Sequence, residues 1–455
     1  MKTYHSIYIA ACVALLSSCG IYTTYHPATE VPEQLYGEEV VVSDSSSIAS
    51  LHWRELFTDP HLVTLIEQGL ANNTDYLAAG LRVQEAEATL LSAKLAYLPS
   101  LALAPQGTLS HLEGHKMTKA YSLPATASWE IDLFGKLRNA KRQSQALLAQ
   151  SKDYQQAVRS QLIAGIANTY YTLLMLDAQL RIAEQTATSW GESARATHAL
   201  MQAGMTNEAA VAQMEAAYAQ VSASVLDLKD QINQVENSLS LLLAETPHRV
   251  QRGTLAEQTW PSSLSVGFPV SLLANRPDVR AAERSLEQAF YATNQARAAF
   301  YPSIMLSGSA GWTNSAGGMI SNPAQFVASA VGSLTQPLFA KGQLTGQLKI
   351  AKARQEEASL QFQQALLNAG AEMNNALVQY QTAKEKRELY AQQVNALQKA
   401  YRSTSLLMEH GTTTYLEVLT AQQSLLSAQL TQVANEVTEI QSLIQLYQAL
   451  GGGTE

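Results

Sequence analysis

The sequence has little cysteine, little net charge and no long apolar run, and each absence excludes a class of protein. Its 455 residues include only two cysteines, Cys12 and Cys19, so a set of disulfides cannot hold the fold. The net charge of -8 is spread in both signs and does not indicate nucleic-acid binding. No stretch reaches the ~18 consecutive apolar residues of a spanning helix. A nucleophile elbow and a phosphate loop are also lacking, which disfavours an enzyme.

The sequence does contain an internal repeat. AYLPS at 96–100 returns as AFYPS at 299–303, LFGK at 133–136 as LFAK at 338–341, and MQAG at 201–204 as MEHG at 408–411. Each half reads as a long helix, short alternating strands, a very long helix, a tight turn and a returning helix. A duplicated unit of this kind is typical of a wall element that needs neighbours to close its surface.

The N-terminus predicts export and a lipid anchor. Lys2 precedes the apolar residues 7–16, and Leu16-Ser17-Ser18-Cys19 resembles a bacterial lipobox. We expect a signal peptide at 1–18, cleavage before Cys19, and a lipidated tether at 19–60. Several acyl chains on Cys19 would anchor the protein stably. The alternative is an ordinary signal peptide with an incidental cysteine.

Long helices dominate the prediction. Residues 62–98 are helical in pattern, with a break expected at 72–75 where Asn or Asp can cap a new helix. Residues 136–203 contain no proline and would form roughly 100 Å of helix. Residues 342–410 match them, and the returning helices 207–243 and 414–450 are about half as long. Their Ala, Gln, Ser and Leu content suits a tube of coiled-coil pairs.

Four alternating segments predict strands at 100–111, 121–133, 303–313 and 326–338. Each is close to the ~9–11 tilted residues that cross a bilayer, although a half-buried soluble sheet alternates in the same way. The junctions between strands and helices carry aromatic residues that predict either a belt at a membrane interface or local packing, namely Tyr97, Phe134, Phe300, Tyr301 and Phe339. Four strands cannot close a barrel, whereas three copies would supply 12.

Three segments carry a family resemblance: LLANRPDVRAAERSLEQAFYATNQARAAFYPSIMLSG at 272–308, GTTTYLEVLTAQQSLLSAQ at 411–429 and YQALGGG at 447–453. The chain resembles the TolC-like outer-membrane factors, most closely their lipid-anchored efflux branch of the RND/NodT type. The resemblance implies a trimer with a 12-stranded membrane β-barrel on a long periplasmic α-helical barrel. It divides the chain into a first repeat at 61–246, a connector in an equatorial collar at 247–270 and a second repeat at 271–455.

The resemblance also implies the function. The expected protein is a passive exit duct for small molecules in the bacterial outer membrane, lipid-anchored and extending into the periplasm. Its partners would be two further copies of the chain, a periplasmic adaptor, an inner-membrane pump and membrane lipid. It would have no cofactor beyond the lipid on Cys19 and no catalytic residue.

The expected pore constriction consists of Leu416, Glu417 and Thr420, placed by motif position. Leu416 matches the family's apolar ring, and Thr420 stands where many relatives carry aspartate, so Glu417 is the candidate for the acidic group. The alternative is that Leu416 packs between helices and Glu417 is a solvated surface charge. The expected adaptor contacts are the helix turns, Gly204, Met205, Thr206, Gly411, Thr412 and Thr413, although glycine there is also explained by the turn itself.

Other interpretations stay open. An exit duct for type I protein secretion or for metal-ion export would have the same fold, and a trimeric coiled-coil structural lipoprotein is a non-channel alternative. His111, Glu113 and His115 superficially suggest a metal motif, but their spacing is not HExxH and predicts a surface loop. The segment 275–278 predicts a helix start with Pro277 in the first turn.

Overall fold

The structure is a computed structural model that describes residues 24–26, 52–111, 113–114, 117–259, 276–316 and 319–454. The chain divides into two compact units. We call the first the sheet unit, comprising 1–30, 82–152 and 281–364. The second, the helical unit, comprises 31–81, 153–280 and 365–455.

The helices occur in matched pairs. They are α1 (Trp53–Leu56), α2 (Pro60–Asn72), α3 (Thr74–Leu95), α4 (Lys136–Gln202), α5 (Glu208–Leu242), α6 (Pro277–Ala298), α7 (Gln343–Glu409) and α8 (Tyr415–Ala449). Helices α3 and α6 both have 22 residues, α4 and α7 both have 67, and α5 and α8 both have 35. The duplicated, mainly helical fold expected from the sequence is therefore confirmed. Among the described helices, none is long and apolar enough to cross a bilayer.

The predicted helix break falls at Asn73. Its Oδ1 atom accepts a hydrogen bond from the Tyr76 N–H at 3.0 Å, which caps the start of α3. Its Nδ2 atom donates to the Leu242 carbonyl at 3.0 Å, where α5 ends. One buried asparagine thus satisfies backbone groups at two helix ends.

The sheet lies in the sheet unit and is antiparallel throughout. Its strands are β1 (Ser100–Leu103), β2 (Gln106–Ser110), β3 (Thr118–Ile131), β4 (Ser303–Ala316) and β5 (Met319–Thr335), and β3 pairs with β1, β2 and β4, while β4 pairs with β5. Strands β1 and β2 keep one register against β3, with Leu103 opposite Ala125 and Gln106 opposite Ser122. They act as one strand, so the sheet has four positions.

The strand predictions were wrong in detail. The expected strand at 100–111 is interrupted between Leu103 and Gln106 because Pro105 has no N–H and a fixed φ. The expected strand at 326–338 begins earlier, at Met319, and ends at Thr335, two residues before Pro337. The strand expected at 121–133 runs from Thr118 to Ile131, followed by a turn in which the Leu133 N–H bonds the Ile131 carbonyl.

A close backbone approach fixes one pairing. Gly311 of β4 lies opposite Pro124 of β3. A Cβ atom on Gly311 would lie 2.2 Å from the Leu123 carbonyl oxygen, so no larger residue fits without moving the strands. The proline and the glycine together set the β3–β4 spacing at this level.

The core of the helical unit forms around α2, α4 and the end of α5. A Cβ atom on Gly69 of α2 would lie 2.3 Å from Ile166 Cδ1 and 3.7 Å from Leu243 Cδ2. The bulky buried side chains of these helices, and of the segment that precedes α2, include Trp53, Phe57, Leu62, Ile66, Ile163, Tyr170, Leu173, Leu174 and Leu239. Because burial of apolar surface stabilises a fold by ~25 cal/mol per Å², these side chains contribute to the stability of this unit.

Candidate functional site

The two faces of the sheet differ in chemistry. One face is formed by apolar or small residues of β1, β3, β4 and β5, including Leu101, Leu103, Leu123, Ala125, Ala127, Trp129, Leu306, Gly308, Ala310, Trp312, Phe326, Ala328, Ala330 and Leu334. The opposite face is mainly polar, although Val327 and Val331 of β5 are also exposed on it. Its polar members are Ser122, Thr126, Ser128, Ser307, Ser309, Thr313, Ser329 and Ser333, with the Oγ atoms of Ser309 and Ser329 2.8 Å apart. The bulky apolar side chains are exposed. A sheet with one exposed apolar face is suited to contact lipid on that face and water on the other.

Aromatic residues lie at both ends of the apolar face. Trp129 lies near the end where the strands join the helices, and its Nε1 atom donates to the Tyr97 carbonyl at 2.8 Å. Trp312 and Phe326 lie six residues further along the sheet and pack edge to face with their ring centroids 5.3 Å apart. Six strand residues span about 20 Å. This second aromatic group was not predicted from the sequence, although Phe326 alternates with small residues in the predicted strand.

The junction aromatics divide between the two interpretations. Phe134 is 8% exposed and stacks on Tyr301 with centroids 5.1 Å apart, as local packing predicts. Phe339 is 85% exposed, as an interfacial residue would be. Because β1 and β4 begin, and β3 and β5 end, at the same end of the sheet, all four junctions lie at one level. The belt stays a prediction for the exposed members.

A polar network joins the described part of the connector, 247–259, to the helical unit. Asp59 caps α2 by accepting from the His61 N–H at 2.8 Å. The same carboxylate accepts from the Tyr170 hydroxyl at 2.6 Å and from Gln258 at 2.8 Å. The Gly253 N–H in turn donates to the Tyr170 hydroxyl. Burial raises the pKa of Asp59, but these hydrogen bonds outweigh it and hold the pKa below its ordinary value.

Arg252 forms a second connection, one that the sequence analysis missed. Its guanidinium donates to both carboxylate oxygens of Asp177 on α4, at 2.6 and 3.0 Å, and to Glu236 on α5 at 2.5 Å. A guanidinium can bridge two carboxylates in this way because its donors form a fixed planar fork. The sequence does not single it out, because the connector also contains Arg249 and the two carboxylates lie 75 and 16 residues away.

Arg276 holds the start of the second repeat. Helix α6 begins at Pro277, as expected from the sequence. The buried Arg276 guanidinium donates to Asp278, to Glu372 of α7 and to the Ala449 carbonyl at the end of α8. The arginine thus ties three helices of the helical unit together.

The two helix turns have the same backbone geometry. Gly204 and Gly411 adopt φ values of 73° and 70°. In each turn the glycine N–H donates a hydrogen bond to the carbonyl three residues earlier. The N–H of the next residue donates to the carbonyl five residues before it. This pair of hydrogen bonds is a Schellman motif. It requires a left-handed backbone conformation at the glycine position, which glycine adopts without strain. The glycines are therefore explained by the turn.

The other tip residues differ in how exposed their side chains are and in whether their hydroxyl groups already donate a hydrogen bond. Met205 is 75% exposed and apolar. The Thr412 hydroxyl donates to the Leu407 carbonyl, and the Thr413 hydroxyl donates to Glu417. Thr206 is half-buried. Among the residues expected at the tips, Met205 presents the largest apolar surface to a partner.

The three expected constriction residues lie together on one face at the start of α8. Leu416 is 50% exposed, and Glu417 and Thr420 are also exposed. The Thr420 hydroxyl donates to the Leu416 carbonyl of its own helix. Glu417 lies in the first turn of α8, where a carboxylate is favoured by the helix dipole, so its charge also has a local structural role.

A buried cluster lies behind this face. Trp190 of α4 is 1% exposed and packs with Leu419 of α8 and with Met214, Ala217 and Val221 of α5. Two hydrogen bonds cross between the repeats beside it, from Tyr415 to Gln213 at 2.7 Å and from Gln422 to Ser189 at 3.2 Å. The sequence analysis missed this cluster, because a single tryptophan in a long helix does not reveal its partners.

The two cysteines and the histidines expected in the surface loop lie partly outside the described residues. Cys12 and Cys19 lie outside the described residues, as does His115. His111 and Glu113 belong to the hairpin between β2 and β3. Across the described ranges, no group of three or more metal-binding side chains occurs.

Comparison with known proteins places the chain. The family model of the outer membrane efflux protein matches residues 65–245 and 268–452. The cation efflux system protein CusC of Escherichia coli O6:H1 is 30% identical over 448 residues, covering 97% of each chain. The solvent efflux pump outer membrane protein SrpC of Pseudomonas putida is 28% identical, covering 96% of each chain.

A solved structure agrees with these relatives. The open state of the MtrE outer membrane channel of Neisseria gonorrhoeae matches with a TM-score of 0.85 and 27% identity, over 95% of this chain and 98% of that chain. The relatives and the solved structure cover nearly the whole length, and the family model covers most of it. The protein therefore belongs to the outer membrane efflux protein family and is an outer-membrane channel component, not an enzyme.

Proposed function

We propose that three copies of the chain close a 12-stranded barrel and form the exit duct of a tripartite efflux system. The sheet carries this proposal. It has four strand positions, an exposed apolar face and two edges, β1/β2 and β5, that no described strand covers. Unpaired edges cost several kcal/mol for each backbone group in lipid, so the sheet requires partners of its own kind.

The edges fit one another. The Ala104 N–H bonds the Pro124 carbonyl of β3, so by alternation Leu101 and Leu103 direct their backbone groups to the free edge. The same alternation, followed across β3 and β4, directs Ala328 and Ala330 of β5 to the other edge. All four residues belong to the apolar face. Antiparallel pairing of β5 with β1 of the next copy would therefore continue the apolar face without a break.

The proposed partners supply energy and opening. A passive duct needs an inner-membrane pump to drive export and a periplasmic adaptor to connect the two. Met205, Thr206, Thr412 and Thr413, with Gly204 and Gly411 shaping the turns, are the proposed adaptor contacts. CusC and SrpC are named for cations and solvents at nearly equal identity to this chain. The cargo is therefore assigned only as small molecules selected by the pump.

The proposed constriction is a ring of three Leu416 side chains. Its support is that Leu416 is half exposed on a face of α8 whose other side packs on Trp190. Glu417 beside it would favour cations in the pore, and Thr420 adds no charge to that level. The proposed membrane anchor is Cys19, exposed as the new N-terminus when residues 1–18 are removed.

The test combines oligomer mass with conductance in planar bilayers. The purified protein should have the mass of three chains and open rarely, and Leu416→Ala should increase the open time. Leu226→Ala is the matched control, because Leu226 is an exposed leucine of the same helical unit, outside the tips. A monomer, or a trimer that does not conduct even as Leu416→Ala, would favour the structural lipoprotein instead.

A further inference from the structure

Residues 24–26 of the N-terminal tether are described, and they lie against α6 within the sheet unit. Within residues 1–51, the described residues are Thr24, Tyr25 and His26. The Tyr25 ring packs edge to face on Phe290 of α6, with the centroids 5.6 Å apart. Thr24 and His26 on either side are exposed, so the contact is made by the tyrosine ring.

The contact lies in a cavity of about 520 Å³ between α6 and α7. Leu286 and Phe290, one turn apart on α6, form its apolar part, and Lys352 and Gln355 of α7 line the other side. Among the described residues, the buried Tyr25 hydroxyl has no hydrogen-bond partner. The attachment therefore depends on packing of the ring and not on the hydroxyl.

The electrostatic surroundings agree. Burial, followed by the nearby carboxylates of Glu283 and Glu287, raises the pKa of Tyr25 to about 12. The phenol is therefore neutral at physiological pH, as burial of the ring requires.

The position of this contact matches the length of the tether. Phe290 lies eight residues before the end of α6 at Ala298, about 12 Å along the helix axis. Lys352 lies nine residues after the start of α7 at Gln343, about 14 Å along that helix. The cavity is thus ~12–14 Å from the end of the helices that leads to the strands. The six residues from Cys19 to Tyr25 span at most about 20 Å.

We propose that Tyr25 is a docking residue that holds the tether on α6 and so fixes where the lipid on Cys19 can enter the membrane. With only ~6–8 Å of reach beyond these helix ends, the acyl chains enter the bilayer beside the strands of their own copy. The anchor becomes part of the wall of the channel. This inference rests on the proposed lipidation of Cys19.

The docking itself is tested without reference to the lipid. A photo-crosslinking phenylalanine at position 25 should capture a peptide of α6 from the same chain, and Phe290→Ala should abolish the capture. Capture of another chain, or capture unaffected by Phe290→Ala, would overturn the docking. Tyr25→Phe should keep the tether docked because no hydrogen bond is lost, whereas Tyr25→Ala should release it. Thr24→Ala is the neighbouring control and should change nothing, because Thr24 is exposed and does not line the cavity.

The reach is tested by changing the length of the tether. Deleting residues 21–23 leaves a span of about 10 Å, too short for docking and membrane insertion together. Outer-membrane trimer should fall several-fold, and Tyr25→Ala in the same chain should restore it. Three added Gly or Ser residues should be tolerated. A deletion without effect, or one that Tyr25→Ala does not rescue, would contradict the fixed reach.

Mass spectrometry of the mature N-terminal peptide separates the two proposals. If the wild-type peptide carries no lipid, the proposed anchor is wrong, while the crosslinking result still decides whether Tyr25 docks. If the peptide is lipidated in every variant and the crosslink is absent, the anchor stands and the docking is wrong.

Discussion

At the scale of single residues, Ala244 is a strained counterpart of a glycine. Both 35-residue helices end in the same turn, which is closed by two backbone hydrogen bonds. The left-handed position of this turn is Ala244 at φ 56° after α5 and Gly451 at φ 87° after α8. A left-handed alanine costs about 1–2 kcal/mol. Ala244→Gly should raise the stability of the helical unit by about 1 kcal/mol, measured as a higher midpoint in thermal unfolding followed by circular dichroism. Gly451→Ala should lower it, and a fall with both variants would refute the explanation.

Tyr170 predicts a pH-dependent effect. Burial and the bond to Asp59 raise the pKa of the Tyr170 hydroxyl, so it is a donor at all ordinary pH values. Because the pKa of Asp59 is lowered by folding, its contribution is present above about pH 4 and is lost as the pH falls further. Tyr170→Phe should cost about 1.5–3 kcal/mol at pH 7 and less at pH 3.

The check is the difference in unfolding midpoint between variant and wild type at the two pH values. Tyr171→Phe is the matched control, because the Tyr171 hydroxyl donates at 3.3 Å to the uncharged amide oxygen of Gln258 and not to a carboxylate. A Tyr170→Phe cost that is equal at pH 7 and pH 3 would show that Asp59 is not the group concerned.

The sequence predicted local features of residues better than their partners. The turn glycines, the break at Asn73 and the start of α6 at Pro277 follow from capping preferences within a few residues of chain. The bonds from Arg252 to Asp177 and Glu236 span 75 and 16 residues, and Trp190 meets Leu419 across the repeat. Such contacts depend on how helices pack, which a single sequence does not encode locally.

At the scale of elements, the alternation of the strands predicted the two faces of the sheet but not every boundary. Period-two patterns fix which residues share a face, and here Ala125, Ala310 and Ala328 indeed lie side by side. The boundaries were decided by Pro105 and Pro337, whose effect on strand ends depends on which edge they occupy.

Adjacent residues of β4 test the assignment of the faces. Ala310 lies on the apolar face at mid-sheet, and Ser309 lies on the polar face opposite Thr126 and Ser329. Ala310→Lys should destabilise the barrel by about 2–4 kcal/mol, because it places a charge in lipid. Ser309→Lys should assemble normally and shift the ion selectivity toward anions. The measurements are the yield of outer-membrane trimer and the reversal potential in bilayers, and the opposite result would exchange the two faces.

At the scale of the whole molecule, the internal repeat could be predicted from the sequence because the corresponding helices of the two halves have equal lengths. The first residues of α4 and α7 are 207 positions apart in the sequence, and so are their last residues; the same offset relates α5 and α8. The bonds from Tyr415 to Gln213 and from Gln422 to Ser189 hold the two tips at one level in the helical unit. Equal hairpin lengths are therefore needed for these contacts to form.

This requirement predicts how the molecule responds to insertions. Seven residues added after Glu184 in α4 and after Leu226 in α5 lengthen the first hairpin by about 10 Å with little rotation. The Trp190–Leu419 contact would then be lost, and both the unfolding midpoint and the closed time of the channel should fall. Adding the same residues after Ala391 and Val433 realigns the tips and should restore both. If the variant with the insertion in one repeat has the same unfolding midpoint and closed time as the variant with insertions in both, the tips are not coupled. The matched lengths would then have another cause.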